Sequence, residues 1–160
     1  MTSPPAAQPP AGAAHPHPLS LGIVIAIATG GLLGAVARAG VADLVPFHPP
    51  AFPWATFAVN AVGAFAIGVV SVLTVERRDA HPLQRPFWAT GVLGGFTTFS
   101  AFAVDAVRLT DGGAGAVAAG YLVATVAVGL VAVRVGAQAT RALTGGARVP
   151  EPLPVPDEEA

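Results

Sequence analysis

The amino-acid sequence predicts an all-α integral membrane protein with four transmembrane helices. Of its 160 residues, 53% are hydrophobic and only 11% are charged, whereas about a quarter of the residues in a soluble domain are normally charged. Four stretches with almost no charge also recur at the length that a helix needs to cross a bilayer, about 20 residues. Both observations indicate a multi-pass protein of the cell membrane.

The four predicted spans are separated by residues that end helices. The spans cover about residues 21–39, 54–75, 86–109 and 114–134. The segment PFHPP precedes the second span, HP precedes the third, and DGG precedes the fourth. Four spans place both termini on one side of the membrane. The positive-inside rule favours the cytoplasm for that side, because most arginines lie there: Arg77, Arg78, Arg85, Arg141 and Arg148.

The two ends of the chain differ in composition from the predicted membrane domain, residues 21–141. Residues 1–20 are rich in proline and alanine, and residues 142–160 combine prolines with an acidic end. Such segments bury too little apolar surface to fold, so both are predicted to be disordered tails. His15 and His17 are interpreted as solvated side chains, because two ligands without a rigid frame make a poor metal site.

Composition also excludes several classes of protein. The chain has no cysteine, which excludes disulfides and thiolate chemistry. No basic patch is interleaved with aromatic residues, so no nucleic-acid partner is expected. No grouping of histidine with carboxylate, or of nucleophile with base, indicates an enzyme.

Small residues recur along the spans and predict close packing between helices. Lipid provides no hydrophobic drive for helix association, so contacts depend on small residues and polar pairs. The first span contains a G-x-x-x-G pattern, Gly30 to Gly34, and the later spans contain Gly63, Gly68, Gly120, Gly129 and Gly136. These glycines predict close backbone approach and an oligomer.

Polar residues inside the predicted spans are candidates for function, because polar groups are costly at membrane depth. Asn60 either bonds to a neighbouring helix or contacts a permeating solute. Arg38 either reaches the headgroups or bonds to the interrupted backbone of another helix. Tyr121, Thr125 and Gly129 share one helical face, which predicts a wetted groove.

The segment GGFTTFSAF, residues 94–102, predicts an interruption in the third helix. Glycine and β-branched threonine are poor helix formers. In a bilayer, the freed backbone groups need partners, a cavity or an ion, and freed carbonyls suit a hard cation. Phe99 and Phe102 share one face, and their ring edges can favour an anion. The alternative is that both rings only pack against lipid or the core.

Three motifs, in order, resemble the CrcB/Fluc family of fluoride channels. They are GGLLGAVAR at 30–38, Val59-Asn60 with Gly63, and GGFTTFSAF. The resemblance covers nearly the whole membrane region. It implies a passive channel through which fluoride leaves the cytoplasm. It further implies two four-helix subunits arranged as an antiparallel dimer, each with its third helix broken mid-membrane.

The resemblance also implies a role for individual residues. The backbone carbonyls of Gly94 and Thr97 would hold a structural Na⁺ at the dimer centre, and Arg38 would have a structural role. The expected fluoride pore comprises Asn60, Thr98, Phe99, Ser100, Phe102, Tyr121 and Thr125.

The sequence departs from the family pattern at three positions. Ala101 replaces a threonine, Ala39 replaces a tyrosine, and Asp105 replaces a glutamate. The resemblance therefore implies the sodium and phenylalanine elements, but not the detail of the polar track or the rate of conduction. The partner subunit is either a second copy of the chain or a paralogue, and the sequence leaves both open.

The alternative function is a small proton-coupled exporter with four helices. Such a transporter needs a carboxylate within the membrane to exchange protons. The first, second and fourth predicted spans have none in their interiors, and Asp105 lies toward the end of the third. A non-conducting subunit would not explain Asn60 and GGFTTFSAF together.

Overall fold

A computed structural model describes residues 20–75 and 81–145. Its elements are α1 (Leu21–Leu44), α2 (Trp54–Val75), a π-helical segment (Pro86–Leu93), α3 (Gly94–Phe96), α4 (Phe99–Asp111) and α5 (Gly115–Leu143). The predicted tails lie outside the described residues, apart from Ser20 and residues 142–145. His15, His17, Arg77, Arg78 and Arg148 also lie outside them.

Four helical stretches are long and apolar enough to cross a membrane: Leu21–Leu44, Trp54–Val75, Pro86–Asp111 and Gly115–Leu143. At about 1.5 Å per residue, even the shortest is roughly as long as the ~30 Å hydrocarbon core. The prediction of four membrane-spanning helices is confirmed. α1 and α5 run past the predicted ends at residues 39 and 134. Arginine is a good helix former, so the helices continue through Arg38 and Arg134.

The helix ends follow from local sequence. The Ser20 hydroxyl oxygen accepts a hydrogen bond from the Ile23 amide (3.4 Å) and caps α1. Pro46 follows the end of α1, and the fully buried Pro53 immediately precedes α2. Between α4 and α5 the chain turns through Gly113, whose φ of 77° lies in the left-handed region that glycine tolerates. These residues mark the α1–α2 loop, residues 45–53, and the turn between α4 and α5.

The helices pack as two pairs, α1 with the π-helical segment and α3, and α2 with α5. Glycine makes both seams close. A Cβ added to Gly34 would lie 2.8 Å from the Phe96 nitrogen, and one added to Gly68 would lie 2.8 Å from the Ala137 nitrogen. Both positions therefore exclude a side chain. A Cβ added to Gly120 or Gly129 meets nothing within 4 Å in the described chain, so these two glycines do not serve packing within the subunit.

Aromatic rings from the α1–α2 loop pack behind α4. The Phe52 ring lies 5.4 Å from that of Tyr121, edge to face, and Tyr121 lies 5.2 Å from Phe102. Tyr121 is fully buried in a cluster with Leu109 and Ala118. The loop therefore packs against the Phe102 ring indirectly, through the Tyr121 ring.

The Gly34 seam can be tested with Gly34→Ala against Gly40→Ala. Overpacking typically costs about 1–3 kcal/mol, so we expect Gly34→Ala to lower the thermal unfolding midpoint in detergent. Gly40 lies in the same helix with open space around it, and alanine there improves helix propensity. Gly40→Ala should therefore keep or raise the midpoint, and equal midpoints for the two variants would contradict the seam.

Candidate functional site

The Asn60 side chain pairs with the peptide groups of Thr98. Its Nδ2 donates to the Thr98 carbonyl (3.0 Å), and its Oδ1 accepts from the Thr98 amide (2.9 Å). Thr97 and Thr98 are both extended, with φ/ψ of −74°/157° and −147°/124°. We call these two residues the Thr97–Thr98 link. The asparagine amide thus bonds to peptide groups that are turned out of the helix.

The link diverts two amides from their ordinary helical acceptors. In a continuous helix the Thr98 amide would donate to the Gly94 carbonyl, but here it donates to Asn60. The Ala101 amide would donate to the Thr97 carbonyl, but it donates to the Thr98 hydroxyl oxygen (3.1 Å). The carbonyls of Gly94 and Thr97 therefore lose their helical donors.

Three further contacts hold the chain around the link. The Arg38 Nε donates to the Gly95 carbonyl (3.1 Å), which is one of the two roles that the sequence left open for this arginine. The Thr97 amide and hydroxyl both donate to the Leu93 carbonyl, each at 2.9 Å. These bonds tie the link to α1 and to the preceding helical turn.

The glycine pair has a different role from the one that the sequence suggested. Gly94 and Gly95 are helical, as part of α3, and the extended residues are the threonines alone. A Cβ added to Gly95 would lie 3.0 Å from the Gly31 carbonyl carbon. Gly95 thus permits close contact with α1, while threonine, which favours extended backbone, forms the interruption.

An open groove of about 410 Å³ runs between α2, the link, α4 and α5. Most of the predicted pore residues line it: Asn60, Thr98, Phe99, Phe102 and Thr125. The rings of Phe99 and Phe102 are 5.8 Å apart at 50°, and Phe99 is 80% exposed. The Thr125 hydroxyl oxygen is buried and forms no hydrogen bond with the residues described.

Four predicted site residues do not line this groove: Arg38, Gly94, Ser100 and Tyr121. The Ser100 hydroxyl lies 3.2 Å from that of Thr98. Tyr121 lies behind Phe102, so only Thr125 and Gly129 of the predicted face line the groove. Arg38 lines a separate cavity of about 50 Å³ with Thr98 and Ala101. Tyr121 therefore contacts the groove only through the Phe102 ring.

Sequence reasoning missed one polar pair. The Thr56 hydroxyl donates to an Asp105 carboxylate oxygen (2.6 Å), and Asp105 is only 7% exposed. Thr56 precedes Asn60 by four residues, so the two share one face of α2. The four-residue spacing was the signal in the sequence for this pair, because a residue on the Asn60 face of α2 points toward α4.

Comparison with known proteins supports the resemblance. The family model described as "CrcB-like protein, Camphor Resistance (CrcB)" matches residues 25–137. The chain is 47% identical to "Fluoride-specific ion channel FluC 2" of Nocardia farcinica over 131 residues, 82% of this chain and 94% of that protein. It is 48% identical to "Fluoride-specific ion channel FluC 1" of Streptomyces coelicolor over 119 residues, 74% and 77% of the two chains. The chain therefore belongs to the CrcB family and is a multi-pass cell-membrane protein of channel type, not an enzyme.

Proposed function

We propose that the protein is a passive fluoride-selective channel through which fluoride leaves the cytoplasm. The observation that carries the proposal is the groove, which brings Asn60, Thr98, Phe99, Phe102 and Thr125 together beside the link. Relatives that match most of their own length to this chain are named fluoride-specific ion channels. The groove residues suit that ion by their chemistry.

A small anion that leaves water needs hydrogen-bond donors in place of its hydration shell. The Asn60 amide nitrogen carries two hydrogens, and one is used on the Thr98 carbonyl. The second hydrogen remains for an anion, and the buried Thr125 hydroxyl is a further donor. The edges of the Phe99 and Phe102 rings carry partial positive charge and supplement these donors.

The proposal includes a second subunit, either another copy of the chain or a paralogue, arranged antiparallel. The groove is open, the Phe99 ring is 80% exposed, and Gly129 has open space before it. A partner against this face would enclose the pore. In this arrangement the link lies at mid-membrane depth, where lipid cannot hydrate its peptide groups.

A structural Na⁺ at the dimer centre is part of the same proposal. The diverted amides leave the carbonyls of Gly94 and Thr97 as oxygen ligands, the type that hard cations prefer. When bound, the ion would supply positive charge and join the two subunits. Asn60 keeps the Gly94 carbonyl free by accepting the Thr98 amide, and the Thr98 hydroxyl keeps the Thr97 carbonyl free by accepting the Ala101 amide.

The proton-coupled exporter is less well supported. Its essential carboxylate would have to be Asp105, because Asp43 and Asp111, the other acidic residues of the described helices, lie at helix ends. Asp105 accepts a hydrogen bond from Thr56 and does not line the groove. A carboxylate outside the solute route cannot exchange its proton directly for cargo.

Ion selectivity is tested in liposomes containing the purified protein. We expect rapid efflux of fluoride and chloride efflux no faster than from protein-free liposomes, because chloride is too large for a narrow dehydrated passage. Ion-selective electrodes measure both ions. Equal protein-dependent rates would contradict selectivity.

Proton coupling is tested in the same liposomes by imposing a pH gradient with no fluoride gradient. A passive channel moves no net fluoride under these conditions when hydrogen fluoride leak, measured in protein-free liposomes, is subtracted. Fluoride accumulation that depends on the protein and follows the proton gradient would instead indicate the exporter.

The role of Asn60 is tested with Asn60→Asp. We expect fluoride flux to fall at least about a hundredfold, since like unit charges about 4 Å apart repel by about 4 kcal/mol at an effective dielectric constant of about 20. Size-exclusion chromatography should still show the assembled protein, since an aspartate oxygen can accept the Thr98 amide.

Thr74→Val is the matched control for Asn60→Asp. Thr74 also lies in α2, but its hydroxyl donates to the Val70 carbonyl of its own helix (2.8 Å). This variant should conduct normally. Normal flux through Asn60→Asp would show that Asn60 only packs.

A further inference from the structure

The α2 helix meets the Thr97–Thr98 link at two positions three residues apart. Asn60 bonds to Thr98, and Gly63 faces Thr97. Residues three apart share one helical face. Gly63 is buried, and an added Cβ would collide with the Thr97 Cγ2 methyl group and lie 3.5 Å from the Phe96 ring.

The Thr97 side chain cannot easily turn away from such a collision. Its hydroxyl donates to the Leu93 carbonyl (2.9 Å), which fixes χ1 and directs the methyl group toward α2. Rotation about χ1 would break that bond, and χ1 of threonine is stiff because Cβ is branched. A side chain at residue 63 would therefore displace the Thr97 backbone.

The Thr97 carbonyl is one of the two oxygens that the proposed function assigns to the structural Na⁺. We propose that Gly63 is a positioning residue for this ion: its missing side chain lets the Thr97 methyl group pack against α2 and so sets the position of the Thr97 carbonyl. The inference rests on the proposed sodium site. The role proposed for Gly63 differs from general packing because it acts through a single group, the Thr97 methyl group.

The experiment measures sodium-dependent stabilisation of the full-length protein purified in detergent. The thermal unfolding midpoint is recorded while NaCl replaces N-methyl-D-glucamine chloride at constant ionic strength, for wild type and Gly63→Ala. We expect Gly63→Ala to raise the half-saturating sodium concentration by about tenfold or more, as changes behind metal ligands typically do.

Gly68→Ala is the matched control in the same helix. Gly68 also excludes a Cβ, but its neighbours are backbone atoms of α5. This variant should lower the midpoint at every sodium concentration and leave the half-saturating concentration unchanged. A shift as large as that of Gly63→Ala would overturn the inference, since any packing defect would then suffice.

Thr97→Ser supplies the decisive comparison, because it removes the methyl group and keeps the hydroxyl. In the Thr97→Ser background, Gly63→Ala should no longer shift the sodium dependence. An equal shift in both backgrounds would overturn the inference. If Gly63→Ala fails to fold, the double variant Gly63→Ala/Thr97→Ser should fold and should respond to sodium as Thr97→Ser alone does. A double variant that also fails to fold would overturn the inference.

The wild-type result separates the two proposals. A wild-type protein that sodium does not stabilise removes the proposed ion and this inference with it. A sodium-stabilised wild type with an unchanged Gly63→Ala removes the inference alone.

Discussion

The pairing of the Asn60 amide with the Thr98 peptide groups is the interaction on which the rest of the site depends. Peptide groups that leave a helix within a bilayer have no water to bond with, and each one left unsatisfied costs several kcal/mol, about 2–7 by transfer measurements. Asn60 satisfies one amide and one carbonyl at once. Without it, the chain would gain by continuing the helix, and the Thr98 amide would return to the Gly94 carbonyl.

The interruption is held from two sides by different means. α1 approaches the backbone through glycine contacts and bonds to Gly95 through Arg38. α2 provides Asn60 and the space at Gly63. Because each side combines hydrogen bonds with close packing at glycine, the link has little freedom to move. A rigid link keeps Phe99 at the start of α4, where its ring borders the groove.

Sequence reasoning predicted the spans well because hydropathy and breakers report on the bilayer directly. It also singled out Asn60 and the threonines, since a polar group or a β-branched pair is conspicuous in an apolar helix, and the structure brings these residues together. Spacing predicted that Tyr121 shares a wetted face with Thr125, but helical spacing gives a face and not what that face contacts. The α1–α2 loop, which brings Phe52 against Tyr121, leaves no periodic signal. The two roles of glycine, chain flexibility and close approach, look the same in a sequence.

The proposed ion and the proposed dimer depend on each other for a chemical reason. The proposal assigns two carbonyls of each chain to the cation, too few to replace the water around it. A second antiparallel copy would raise the number to four and would cover the exposed Phe99 ring. A ligand that binds only the assembled state stabilises that state more as the ligand concentration rises, so sodium would favour assembly as well as folding. The same backbone interruption that borders the groove would then also provide the contact between subunits.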